Sequence, residues 1–97
     1  MPPNFSKAAD VWFGARNKLS VGTVVKYRAN LANLKRHFAR MLVCDLTAQR
    51  VASYQQKRLQ EKAAPATINS EVICLGSVLR HYDLWQRLKN GVALLEI

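Results

Sequence analysis

Two stretches of the chain place apolar side chains at alternating steps of three and four, and that spacing leaves little freedom of fold. Val24, Tyr27, Leu31, Leu34 and Phe38 step by 3, 4, 3 and 4, and Ile68, Val72, Leu75, Leu79 and Tyr82 step by 4, 3, 4 and 3. Such steps return to one side of an α-helix, whereas in a strand they would scatter over both faces. At about 100° per residue the first five side chains fall within an arc of roughly 80°. Gly22, Lys26, Ala29, Asn33 and Arg36 point the other way, and Asn30 and His37 sit beside them.

The flanking residues suggest where the helices begin and end. Ser20 is a good N-cap for the helix that carries the first stripe. Pro65 suits the first turn of the helix that carries the second, because a first-turn N–H has no intrahelical partner to lose. Ahead of both, Phe5, Ala9, Trp12, Phe13 and Arg16 predict a first helix over about 5–16. Met41 to Asp45 lacks helical spacing and is read as a turn. Thr47 then caps a helix to about Lys62, with Val51, Tyr54 and Leu59 as its expected inner residues. The outward face of the last helix carries Ala66, Ser70, Ile73 and Ser77, flanked by Asn69 and Arg80. Beyond Asp83 the pattern weakens: Leu84 to Lys89 has room for one more turn, Asn90-Gly91 breaks it, and Val92, Leu94 and Ile97 have little left to cover them. The expectation is an all-α protein, a compact four-helix bundle with a short C-terminal tail.

At 97 residues the chain is one domain, and its 49% apolar content is enough for a core. Fifteen Lys and Arg against six Asp and Glu give a net charge of +9, which points to a polyanionic partner. The charge is uneven. Between Asp10 and Asp45 there is no acidic residue, while Arg16, Lys18, Lys26, Arg28, Lys35, Arg36 and Arg40 all fall there. A solvated, solubilising face is the plain alternative. Lys26, Asn30, Asn33 and Arg36, however, combine cations with amides, the side chains that read phosphates and base edges, and Ala29 between them allows close approach to a groove. A membrane-surface helix would pair its charges with large apolar groups instead of Asn. No membrane partner is expected.

Catalytic and metal chemistry find little support. The six carboxylates form no obvious acid–base pair, and no GxSxG, P-loop or HExxH motif occurs. Cys44 and Cys74 with His37 and His81 have no metal-knuckle spacing, so no metal and no cofactor are expected, and the thiols are read as space-filling in a reducing, cytoplasmic setting. His37 is either a phosphate or base contact or an ordinary surface histidine; His81, near a helix end, suits a dipole interaction. Ser6, Ser20 and Thr47 are read as caps or first-turn residues.

Four segments carry a joint pattern: Phe5 with Trp12; Leu19-Ser20-Val21-Gly22-Thr23-Val24-Val25-Lys26-Tyr27-Arg28, with Leu31 and Leu34; Asp45-Leu46-Thr47-Ala48; and Ala64-Pro65-Ala66-Thr67-Ile68-Asn69, with Leu75 and Leu79. In that order they resemble the first helix, the opening of the second, the entry to the third and the opening of the fourth in the core-binding domain of phage integrases, the tyrosine recombinases. The resemblance implies a SAM-like orthogonal bundle that clamps one side of duplex DNA at an attachment site, with the starts of helices 2 and 4 at the DNA. It also implies a C-terminal catalytic domain, with a nucleophilic Tyr and an Arg, Lys, His and Arg set, that is not among these residues. The chain by itself is then no enzyme, and its partners would be double-stranded DNA, its own catalytic domain and other recombinase protomers. Tyr27, Tyr54 and Tyr82 all lie on expected inner faces and are read as packing residues. Two positions depart from the family pattern: Ser70 stands where Arg or Lys often follows the Asn, and Gly91 replaces the Pro common where the linker begins.

Residues 1–85 are accordingly read as a core-binding domain and 86–97 as a linker. Lys26, Asn30, Asn33, Thr67 and Asn69 are the expected groove-facing residues, and Lys18, Arg36, Lys57 and Lys62 the expected phosphate contacts. For Thr67 a bond to its own backbone is an equal alternative, and for Asn69 the alternatives are the same local bond or packing against a neighbouring loop. A helical protein-interaction module using exposed Ile73 is the rival function.

Overall fold

A computed structural model of the protein describes residues 2–16 and 18–97. Four helices form in the expected places: α1 over Phe5–Gly14, α2 over Val21–Phe38, α3 over Ala48–Gln60 and α4 over Pro65–His81. The caps explain their starts. Asn4 accepts from the Lys7 N–H at 2.9 Å, Ser20 from Thr23 at 3.2 Å and Thr47 from Arg50 at 3.2 Å, each relieving one unpaired first-turn donor. α4 has Pro65 in that turn instead.

Both α3 and α4 stop in the same way. The Lys62 and Ala63 N–H groups bond back to Leu59 and Arg58, and the Asp83 and Leu84 N–H groups to Arg80 and Leu79. These are Schellman closures, and they put Lys62 (φ 69°) and Asp83 (φ 58°) in the left-handed region usually given to glycine.

α4 is the central element, packing against α1, α2 and α3. Ile68, Val72, Leu75 and Leu79 from its stripe are fully or almost fully buried, meeting Phe5, Trp12, Leu34, Val51 and Tyr54 from the other helices. Phe38 stacks edge-on to Phe5 and tilted against Tyr54, joining α2 to α1 and α3. The start of the chain is tied to the α2–α3 connection: Phe5 N–H bonds to Met41 O at 2.8 Å and Val43 N–H to Pro3 O at 2.9 Å. That connection contains one 3₁₀ turn, Val43–Asp45.

Gly76 sits in the middle of α4, buried beneath the Trp85 ring. A Cβ there would lie 3.5 Å from the ring, an ordinary contact. Gly76→Ala is therefore expected to stabilise the domain by about 0.5–1 kcal/mol, by removing unfolded-chain freedom and raising helix propensity. Urea unfolding checks this; a destabilised variant would mean that the Trp85 ring has no room to accommodate a methyl.

The tail is better covered than its sequence suggests. Two further 3₁₀ turns, Trp85–Arg87 and Lys89–Gly91, bring Leu88 into the core, and Val92 and Leu95 pack against it.

Candidate nucleic-acid interface

Among the described residues, the expected phosphate contacts Lys18, Lys57 and Lys62 are exposed, as are Lys26 and Thr67. Two separate depressions gather several of the candidates. A groove between α2 and α4 is lined by Thr23, Lys26, Asn30, Asn69, Ser70 and Ile73, with Leu94 and Ile97 of the tail at its side. A cleft between the end of α2 and α3 is lined by His37, Thr47, Arg50, Ser53, Tyr54 and Lys57. Arg50 was not among the residues expected from the sequence. Its signal was present, since Arg50, Ser53 and Lys57 recur at i, i+3 and i+7 and so share one face of α3.

Three expected groove-facing amides are turned inward. Asn30 is 6% exposed and donates to Ser70 Oγ at 3.2 Å, bridging α2 to α4. Asn33 is half-buried; it donates to Glu71 at 3.1 Å and accepts from Arg36 at 3.2 Å. Asn69 is 7% exposed and holds the main chain of Leu95. The reason for the first correction is the width of the buried arc. α2 packs against both α1 and α4, and Asn30 lies only about 40° beyond the edge of the apolar stripe, close enough to be covered by α4. His37 is likewise mostly buried, edge-on to the Tyr54 ring at 5.0 Å. Burial lowers its pKa, the leading effect, against the pull of Glu61.

Arg36 remains half-exposed but is engaged, its Nη2 2.8 Å from Glu61 Oε1. Glu61 also accepts from Arg58 at 2.8 Å, and the two guanidinium groups, Arg36 first, hold its carboxyl down at about 2. Behind them Glu71 is completely buried, accepting from Arg58 Nε at 2.8 Å, Arg58 Nη2 at 2.7 Å, Tyr54 Oη at 2.6 Å and Asn33 Nδ2 at 3.1 Å. Burial, then the bond to Glu71, raises the Tyr54 pKa well above its ordinary value, so the phenol keeps its proton. The Glu71 bond, more than any other influence, raises that of Arg58. Tyr54 is thus a buried donor, while Tyr27 and Tyr82 pack half-buried against the core. Burial pushes the Cys74 thiol up to about 12, which leaves it unreactive.

The residues from α1 to the first turns of the tail match one family description. Phage integrase, N-terminal domain, matches residues 4–92. This chain belongs to that family. Comparison with curated proteins and with solved structures returned no match. The integrase domain match spans all four helices, the cleft beside α3 and the helix residues of the α2–α4 groove; residues 93–97, including Leu94 and Ile97 at that groove, lie beyond it. No helix among the described residues is long and apolar enough to cross a membrane.

Proposed function

We propose that this integrase domain is a DNA-binding clamp of the core-binding, SAM-like type, which positions a tyrosine recombinase on attachment-site DNA in the cytoplasm without itself carrying out catalysis. The observation that supports this most is the uncommitted charge on a chain of that family. Of the seven cations between Asp10 and Asp45, the described ion pairs engage Lys35 with Asp10 and Arg36 with Glu61. Lys18, Lys26, Arg28 and Arg40 are exposed and enter none of the ion pairs found among the described residues; Arg16 is exposed too and outside those pairs, with its guanidinium over the Trp12 ring at 4.6 Å. Unpaired surface cations of this kind neutralise phosphates and release counterions, which supplies most of the affinity of sequence-independent DNA binding. On this reading Lys26, Lys18, Lys57 and Lys62 contact the DNA backbone, Thr67 lies beside it at the start of α4, and Arg50 adds a cation in the α3 cleft. The clamp comprises the four helices together with the two 3₁₀ turns that carry Leu88 into the core, and the chain beyond them leads toward a catalytic domain and neighbouring protomers.

Fluorescence anisotropy of a labelled random-sequence duplex tests the proposal. Binding with a Kd of about 10⁻⁴ to 10⁻⁶ M at physiological salt is expected. A domain that leaves the duplex unbound even at low salt would refute it. The exposed apolar side chains Ile73, Leu94 and Ile97 favour a second reading, a protein-binding face. Binding to a protein partner that resists high salt and is lost in Ile73→Ser would support that reading.

A further inference from the structure

Asn69 is occupied by main chain. Its Nδ2 donates to Leu95 O at 2.8 Å while its Oδ1 accepts from the Leu95 N–H at 2.7 Å, and one turn of α3 away from Arg58 the Gln55 Nε2 donates to Ala93 O at 2.7 Å. Both carboxamides are more than nine-tenths buried. Residues 92–97 themselves form neither helix nor strand, so these side-chain amides supply the polar partners that pairing with a strand would otherwise give. An extended residue presents its N–H and C=O side by side on one edge. Adenine presents the same pair in the major groove, an N6–H donor beside the N7 acceptor, and asparagine reads it with the same two atoms.

Other features fit a segment that can leave its seat. Leu94 and Ile97 line the α2–α4 groove that holds Lys26, and the same segment carries Glu96, next to Ile97 in the sequence, a negative charge that disfavours phosphates near the segment. At the root of the segment Gly91 lies so close to α3 that a Cβ would come within 2.8 Å of Ala48 Cβ. Only glycine permits that seat without displacement. The residues that follow Val92 are also those beyond the family match.

We propose that residues 92–97 are a displaceable strap that occupies Asn69 in the free domain, and that the strap and an adenine edge of duplex DNA compete for this one carboxamide. The inference rests on the DNA-binding reading. The strap makes the domain autoinhibited: DNA engages the cations first, and release of Leu95 then frees Asn69 for base readout. An affinity that depends on a minor, strap-released state is lowered by the population of that state.

Hydrogen exchange of the Leu95 amide in the full 97-residue chain, with and without a saturating A·T-containing duplex, tests the proposal without any substitution. Protection in the free domain and exchange at least about tenfold faster on DNA are expected. Two variants test it from the other side. Leu95→Pro removes the N–H that Asn69 accepts, and Gly91→Ala levers the root of the strap away from Ala48. Both are expected to bind the A·T-containing duplex about three- to tenfold tighter, and adding Asn69→Ala should abolish the gain. A Leu95 amide that stays protected on saturated DNA, or variants that bind no tighter, would overturn the strap while leaving DNA binding intact. If the wild-type domain binds no duplex at all, the DNA reading fails and the strap with it.

Discussion

Arg58→Ala is expected to destabilise the domain by about 3–5 kcal/mol, measured by urea unfolding at neutral pH. Arg58 gives two of the four hydrogen bonds that surround the completely buried Glu71 carboxylate. Removing it leaves a desolvated charge held only by Tyr54 and Asn33, and an unpaired buried charge costs far more than the paired one contributes. Replacing both partners, as in Arg58→Met with Glu71→Leu, should recover much of the loss, because two apolar groups of similar volume leave no charge stranded. Tyr54 and Asn33 would still lose a partner, so full recovery is not expected. A loss below about 1 kcal/mol for Arg58→Ala would show that water reaches Glu71 and that the network is a surface feature.

That network also shows where the sequence was legible and where it was not. The stripes of α2, from Tyr27 onward, and of α4 are legible because apolar side chains at steps of three and four have one burial solution; Val24, at the start of α2, is only half-buried. α3 was harder. Its apolar residues alone suggested Val51, Tyr54 and Leu59 as the inner face, yet Leu59 is 36% exposed and Arg58 is buried. Geometry favours Arg58: Val51, Tyr54, Gln55 and Arg58 recur at i, i+3, i+4 and i+7, whereas Leu59 falls about 80° around from Val51. A buried arginine is chosen only when a buried acid waits for it. Glu71, about 20° from the edge of the α4 stripe, carried that signal. Reading the two helices separately concealed the pair, because hydropathy assigns each charge to solvent until its partner across the interface is known.

The same limit applies to the candidate interface. Exposed lysines were legible because a long cation on a polar helix face seldom has anywhere else to go. The amides were not, since an asparagine serves equally well as a base reader, an interhelical bridge or a clamp for main chain. Asn30, Asn33 and Asn69 each have a partner 26–40 positions away in the chain, and no local pattern announces a partner at that distance.

The salt dependence of DNA binding should therefore follow the lysines and ignore the inward amides. If about five phosphates are neutralised, log K falls against log salt with a slope of about −4.5, so raising salt from about 50 to about 200 mM weakens binding about 500-fold. Lys26 is exposed at the α2–α4 groove, and Lys26→Ala should reduce the magnitude of the slope by about 1 on every duplex. Asn30→Ala removes no charge, and its amide already bonds to Ser70, so the slope should stay the same. Its effect should appear instead in unfolding, as a loss of about 1 kcal/mol from the interhelical bridge. Fluorescence anisotropy across a salt series, with urea unfolding of both variants, separates the roles. A flat salt response in the wild-type domain would remove electrostatics as the source of affinity. A slope that shallows in Asn30→Ala as much as in Lys26→Ala would mean that α2 meets DNA as one rigid face, with its amide bridge needed to aim the cations.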